Sequence, residues 1–108
     1  MPQSPIGTSV FPNVNPNAKS AFAVSSSTLI KSSAATVLNV QVISAGTTNG
    51  GLYDAATVSG ASASNQFAVI NGGTAVTPGA VTGISGWTTS AGLVAEVGSG
   101  QVLAINYV

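Results

Sequence analysis

The chain has 108 residues, of which 44% are hydrophobic and only 4% are charged: two basic, two acidic, and no His or Cys. Without His and Cys, the sequence excludes disulfide frameworks, thiol nucleophiles, His-based triads and zinc sites of the Cys/His kind. With two lysines and no Arg, it also excludes nucleic-acid binding by phosphate neutralisation.

The scarcity of charge also predicts how the protein works. Soluble single domains usually carry charged residues over roughly a quarter to a third of their surface. A net charge of zero removes the repulsion that keeps monomers apart. We therefore predict a single domain that functions among copies of itself or inside a larger assembly.

The first 20 residues differ in composition from the rest, because four of the five prolines lie there. Proline removes backbone donors and fixes φ, so this stretch predicts an extended N-terminal arm over residues 1–20, followed by a folded domain over residues 21–108. No basic and apolar pattern of a signal peptide is present, and no run approaches the ~18 apolar residues of a spanning helix. We expect no membrane contact. The apolar anchors of the arm, which we predict to contact a neighbouring subunit, are Ile6, Val10, Phe11, Pro12 and Val14.

The clearest strand of the domain is Thr36–Ile43, in which apolar and amide side chains alternate. One predicted face carries Leu38, Val40 and Val42, and the other carries Asn39 and Gln41. Before it, Ser27–Lys31 predicts a shorter strand with Ser32–Ala35 as the turn. Lys31 is interpreted as an edge-strand charge that discourages further pairing.

A turn signal follows this strand. Asn49-Gly50 is typical of a β-hairpin, so Leu52–Ala56 is predicted to return as the partner strand. Thr57–Asn65 is predicted to be a polar loop, and Gln66–Ile70 another strand. Asn71–Gly73 is predicted to be a turn. Thr74–Val81, which is interrupted by Pro78-Gly79, is predicted to be an edge strand or a wide turn, and it is followed by Ile84–Thr88, which holds the only Trp.

The C-terminal segment predicts a second hairpin, from Gly92–Val97 through Gly98–Gly100 to Gln101–Val108. Both faces of the last strand are largely apolar, so we expect it to lie centrally and to be covered on both sides. About seven to eight short strands at spacings of roughly 8–12 residues predict an all-β fold, an antiparallel β-sandwich or jelly roll.

The sequence offers little chemistry for catalysis. Asp54 and Glu96 are the only carboxylates, and nothing in their spacing brings them together, so we expect each to be solvated or salt-bridged. We predict no catalytic residue, no cofactor and no metal site. The aromatic residues are predicted to pack in the core, and Trp87, if exposed, is the candidate interface anchor. These aromatics are Phe11, Phe22, Tyr53, Phe67, Trp87 and Tyr107.

The domain resembles small β-rich structural proteins of tailed bacteriophages over about residues 25–108. In that group an apolar strand ends near a Ser-Ala-Gly-Thr sequence, a Gly-rich turn and a Leu-Tyr-Asp strand follow, and a hairpin with an aromatic near the last residue closes the chain. The matching residues are Ser44–Thr47, Leu52–Asp54, Leu93–Val97, Ser99-Gly100 and Tyr107.

The resemblance implies a capsid decoration, or cement, protein: a jelly-roll domain on the outer capsid surface that joins neighbouring major capsid subunits. Its implied partners are the major capsid protein and copies of itself, and its implied location is the virion, after synthesis and assembly in the host cytoplasm. Two alternatives remain open. One is a β-module of a phage neck, head fibre or tail. The other is a carbohydrate- or surface-binding β-sandwich that uses Trp87 with Thr88 and Thr89.

Overall fold

The structure is a computed structural model, and it describes residues 18–72, 81–82 and 86–108, with the backbone alone at 81–82. This part of the chain is almost entirely β-strand, with one 3-10 turn at Val58–Gly60. The strands are β1 (Lys19–Val24), β2 (Thr28–Lys31), β3 (Thr36–Ser44), β4 (Gly50–Tyr53), β5 (Gln66–Ile70), β6 (Val81–Thr82), β7 (Trp87–Thr88), β8 (Leu93–Glu96) and β9 (Val102–Tyr107).

The strands form two antiparallel sheets that pack as a sandwich. One sheet has the order β1-β9-β3-β6, with β7 also paired to β3, and the other has the order β2-β8-β4-β5. Consecutive strands alternate between the two sheets except at β4–β5 and β6–β7, and the first strand lies beside the last. This is the jelly-roll arrangement. The predicted all-β sandwich is therefore confirmed.

Strands β6 and β7 occupy the same edge of β3. Val81 and Thr82 pair with Gln41 and Val40, and Trp87 and Thr88 pair with Val37 and Thr36. Both pieces run antiparallel to β3 in the same direction, so they act as one interrupted edge strand. With that count the sandwich has eight strands, four in each sheet.

The core lies between the sheets and is built from aliphatic side chains. The fully covered members come from both sheets, so each sheet closes the apolar face of the other. The core residues are Val24, Ala35, Val37, Val40, Val42, Leu52, Ile70, Leu93, Ala95, Leu103 and Ile105.

The predicted face of β3 is only partly right. Val40 and Val42 are buried, but the third buried residue is Val37, and Leu38 is only half-buried. The pairing with β9 shifts between Val37 and Asn39, which marks a β-bulge at Leu38. The extra residue changes which side chains point inward, and simple alternation does not reveal it.

The hairpin predicted at Asn49-Gly50 is wrong. β4 does not pair with β3; it pairs with β5 and β8 in the other sheet. Gly50 is the first residue of β4, and its φ is not positive. A Cβ there would lie 2.4 Å from Gln101 Oε1 and 2.5 Å from the Glu96 carbonyl oxygen. Glycine is required at this position because two segments approach closely, not because the chain turns.

The C-terminal hairpin is also wrong, since β8 and β9 belong to different sheets. The central position of the last strand is correct, because β9 lies between β1 and β3. Its inner face, with Leu103 and Ile105, is fully buried, but Val102, Ala104 and Asn106 on the other face are only half-buried. Among the described residues, the expected cover of β9 is thus complete on the inner face only.

Other predicted elements match the structure or fall outside its described part. Gln66–Ile70 and the shorter strand ending at Lys31 are confirmed, and Lys31 lies on edge strand β2 as expected. β1 begins at Lys19. Residues 1–17, 73–80 and 83–85 lie outside the described residues. They hold most of the predicted arm with its anchors, nearly all of the predicted segment Thr74–Val81, and the start of Ile84–Thr88; the anchors are Ile6, Val10, Phe11, Pro12 and Val14.

Candidate functional site

The outer face of the five-stranded sheet exposes several apolar side chains, with the exposed Gln41 of β3 opposite Ala104 of β9. Inward Leu103 and Ile105 place Val102, Ala104 and Asn106 of β9 on the outside. Phe22 of β1 is 77% exposed beside Ala104, and Ile43 of β3 is 46% exposed beside Val102. We call the set Phe22, Ile43, Val102 and Ala104 the outer apolar face.

Both strongly exposed members of this face lie at bulges. Phe22 and Ala23 together oppose Ala104, and Ala23 has a φ of 53°. Ile43 is the extra residue between the Val42–Leu103 and Ser44–Val102 pairs. Bulges redirect side chains and recur near functional surfaces. The prediction that Phe22 packs in the core is wrong. The residue before it, Ala21, faces the core, so the Phe22 side chain points to the opposite face, which is exposed to solvent.

A row of polar side chains borders the outer apolar face. Ser20 Oγ donates to Asn106 Oδ1 at 2.5 Å, and Asn106 Nδ2 donates to Asn39 Oδ1 at 3.0 Å. The row crosses β1, β9 and β3 and pairs its groups internally. Within the described residues, no charged side chain lies on this face. Lys19 of β1 pairs with Tyr107, which packs against the core, so Lys19 belongs to the inner face of the sheet.

Trp87 forms a second exposed feature at the side of the sandwich. Its ring stacks on Phe67, with centroids 5.5 Å apart and planes 1° apart, while Trp87 remains 52% exposed. Phe67 also packs against the core. The stack joins edge strand β5 of one sheet to edge strand β7 of the other. The core position considered for Trp87 is wrong; its interface role stays a prediction.

The threonines beside Trp87 differ in their availability. Thr88 is exposed, and its hydroxyl lies 3.5 Å from that of Thr36. Thr89 is buried; its Oγ1 accepts from the Ala35 amide at 3.0 Å, and its own amide donates to the Ala35 carbonyl. Thr89 therefore fixes two loops together and offers no surface to a ligand.

The Asp54 carboxylate holds the loop that follows β7. It accepts from the Ser90 amide and hydroxyl, both at 3.1 Å, from the Ala91 amide at 2.8 Å and from the Gly92 amide at 3.3 Å. These donors, the Ser90 and Ala91 amides first, hold the pKa of Asp54 below its usual value. Asp54 is partly exposed, as expected for a solvated carboxylate, but main-chain amides also hold the group. A carboxylate kept ionised in this way is suited to fixing a loop and unsuited to general-acid chemistry.

Glu96 lies on the outer face of the four-stranded sheet beside Tyr53. Burial raises the pKa of Tyr53, and the neighbouring Glu96 carboxylate raises it further. Gly51 pairs with Glu96 and lies two residues before Tyr53 on β4, and a Cβ there would lie 3.2 Å from Tyr53 Cε1. The tyrosine ring thus covers a strand glycine, which is a packing role.

One end of the sandwich is held by Gln101, which the sequence patterns did not single out, and by two glycines, Gly72 and Gly98, that they placed in turns. Gln101 is 1% exposed; its Oε1 accepts from the Gly98 amide at 3.0 Å and its Nε2 donates to the Asn71 carbonyl at 2.9 Å. A Cβ on Gly72 or Gly98 would lie 1.8 or 1.7 Å from the Thr48 carbonyl oxygen. Three loops are therefore packed against each other without space for a side chain.

The described ranges contain no group of three or more His, Cys, Asp or Glu residues placed to hold a metal ion. Within the same ranges, no helix has the length and apolar character needed to cross a membrane.

Comparison with known proteins found no match: no family model fits the chain, and no curated protein or solved structure matches it significantly.

Proposed function

We propose that this chain is a non-enzymatic structural virion protein that binds the outer surface of a bacteriophage capsid and joins neighbouring major capsid subunits. The observation that carries the proposal is the outer apolar face, which exposes Phe22 and Ile43 on a sheet surface without charge. Jelly rolls serve viral capsids and lectins alike. The surface, rather than the fold, therefore supports this choice.

The exposed side chains fit attachment to another protein. A Phe buries about 150–250 Å² in a contact, and aromatic side chains are enriched at interface centres. The bordering row of Ser20, Asn106 and Asn39 supplies the polar rim that interfaces usually have. Because this surface has no charge, attachment by it is hydrophobic and hydrogen-bonded, and it should withstand high salt.

Co-sedimentation with empty capsids of the virus that encodes the chain tests the proposal. We expect the purified protein to pellet with capsids in near-stoichiometric amount, at low salt and at about 1 M NaCl, where charge attraction is screened within ~3 Å. Protein that stays in the supernatant, or that moderate NaCl strips from the capsid, would contradict the proposal.

A matched pair of variants locates the contact. Phe22→Ser removes the most exposed member of the outer apolar face, and Leu29→Ser changes a residue that is 38% exposed on the other sheet. Phe22→Ser should weaken capsid binding at least about tenfold, as loss of a central aromatic anchor does. Leu29→Ser should leave binding unchanged.

The same particles distinguish a neck, head-fibre or tail module from a decoration protein. Gel densitometry of purified virions counts the copies of the chain. Hundreds of copies per particle support decoration of the shell, and a few copies select the other locations.

The Trp87–Phe67 stack supports one further candidate, the binding of a carbohydrate. A flat exposed aromatic ring is a common platform for sugars, and Thr88 adds one exposed hydroxyl beside it. A glycan array of the intact protein and of Trp87→Ala tests this function. Binding that Trp87→Ala abolishes would establish the sugar site, and the absence of any bound glycan would remove it.

A further inference from the structure

The two sides of the sandwich differ in charge. The Trp87–Phe67 stack shows that edge strands β7 and β5 lie on the same side, so edge strands β1 and β2 lie on the other. Both lysines of the chain are on β1 and β2. No charged residue occurs in β5 or β7, where Val69 is 54% and Trp87 is 52% exposed. The strands β5 and β7 themselves carry no charge, and Asp54, which lies beside the start of β5, is held by the amides of the loop after β7.

The edge strands also differ in how they are protected against further pairing. Proteins protect exposed strand edges with charges, bulges and short or broken strands. β1 has Lys19 and a bulge, β2 has Lys31 and a bulge, and the β6/β7 edge is broken into two pieces of two residues. β5 has five residues, and the irregularity of its pairing with β4 falls at its first residues, which leaves Ala68–Ile70 regular and uncharged.

We propose that β5 pairs antiparallel with β5 of a second copy about a two-fold axis, which joins two four-stranded sheets into one of eight strands. Val69 and Trp87 of both copies lie at or beside this contact. The inference deepens the self-association contained in the proposed function and identifies the surface responsible for it. It concerns contacts between copies, whereas the outer apolar face concerns the capsid.

A second copy fits this edge better than an unrelated partner does. Identical strands that pair antiparallel satisfy two-fold symmetry, so each copy offers the other the same row of backbone donors and acceptors. No side chain of β5 is charged, so the two copies bring no like charges together. Within residues 18–72, 81–82 and 86–108, β4 is the sole strand paired with β5, which leaves the other edge open to this addition.

The test uses the full chain without capsids. Sedimentation velocity over a concentration series should show a monomer–dimer equilibrium. Trp87 is the only tryptophan, so its fluorescence should shift to shorter wavelength over the same concentrations as its surroundings lose water. Val69→Lys should raise the dimer Kd about tenfold or more by placing like charges at the paired edge.

Two control variants separate pairing from general effects. Val58→Lys makes the same change at an exposed valine of the β4–β5 connection, away from the edge, and should dimerise like the parent chain. Val69→Thr keeps a strand-forming residue without charge and should also dimerise. Circular dichroism confirms that each variant is folded.

Several results would overturn the proposal. These are a parent chain that stays monomeric at millimolar concentration, a trimer or larger ring in place of a dimer, and equal dimerisation of the Val69→Lys and Val58→Lys variants. Amide exchange in the monomer that is equally slow for every residue of β5 would show that another part of the same chain covers the free edge of β5. That result would also overturn the proposal. Capsid binding by a monomeric Val69→Lys variant would leave the proposed function intact, so the two failures are distinguishable.

Discussion

Gln101 offers the sharpest test of how the loop end of the sandwich is held. Replacing it with Leu keeps the volume similar but removes both amide hydrogen bonds. The Gly98 amide loses its acceptor inside a buried loop, which costs about 1–3 kcal/mol, while the Asn71 carbonyl belongs to an exposed residue and is rehydrated at less than about 1 kcal/mol. The added apolar burial offsets part of this. We therefore expect a net loss of about 2 kcal/mol, or about 10 °C in Tm.

Urea unfolding followed by circular dichroism measures this loss. The matched control is Gln66→Leu, because the half-buried Gln66 makes one side-chain bond, from Nε2 to the Ala68 carbonyl at 3.2 Å. Water replaces that bond readily, so the control should lose less than about 1 kcal/mol. Equal stability of the two variants would refute the assignment of Gln101 as the residue that joins the loop of Gly98 to the loop of Asn71.

Three further predictions concern loop, glycine and surface positions. Asp54 has a lowered pKa in the folded protein, so its contribution to stability is fully present above its ordinary value of 3.8 and is lost as the pH falls through the lowered value. The stability difference between the parent and Asp54→Asn in urea should therefore be largest at pH 7 and shrink as the pH falls below 3.8. Gly98→Ala places a Cβ 1.7 Å from the Thr48 carbonyl oxygen and should lower the free energy of unfolding by more than about 3 kcal/mol. The control Gly60→Ala, whose Cβ would meet a hydroxyl at 3.0 Å, should lower it by less than about 1 kcal/mol in the same measurement. Phe22→Ser should change the unfolding free energy by less than about 0.5 kcal/mol, because its ring is exposed in the folded chain; a larger loss would mean that the ring is packed rather than available.

Strand positions could be predicted from the sequence because they depend on local composition. Gln66–Ile70 is a strand with the expected bounds, and β3 extends the expected strand by one residue. Both segments are rich in residues that fit a pleated, half-buried surface. The edge position of Lys31 could also be predicted, because a lone charge in a strand is tolerated at an edge.

Strand pairing could not be predicted in the same way. A jelly roll passes from sheet to sheet at most connections, and these connections contain the same Gly and Asn residues as hairpins. Asn49-Gly50 and Gly98–Gly100 both lie at such crossings. Only contacts distant in sequence, such as those of Gly98 with Thr48, distinguish the two cases.

The exposed apolar residues of the candidate surface follow from alternation once the core-facing residues are known. Phe22 and Ile43 are exposed because each follows a core-facing residue, Ala21 or Val42, whereas Leu38 leaves its predicted face because of a bulge. The scarcity of charge could be read directly from composition. Its distribution, with both lysines on one side of the sandwich, required the order of the strands.

The most direct measurement of the central claim is an electron cryo-microscopy map of the virion that contains the chain. The account predicts jelly-roll density on the outer shell at the junctions of major capsid subunits, with the five-stranded sheet and Phe22 facing the capsid. A shell without this density, or a domain whose five-stranded sheet faces solvent, would contradict it.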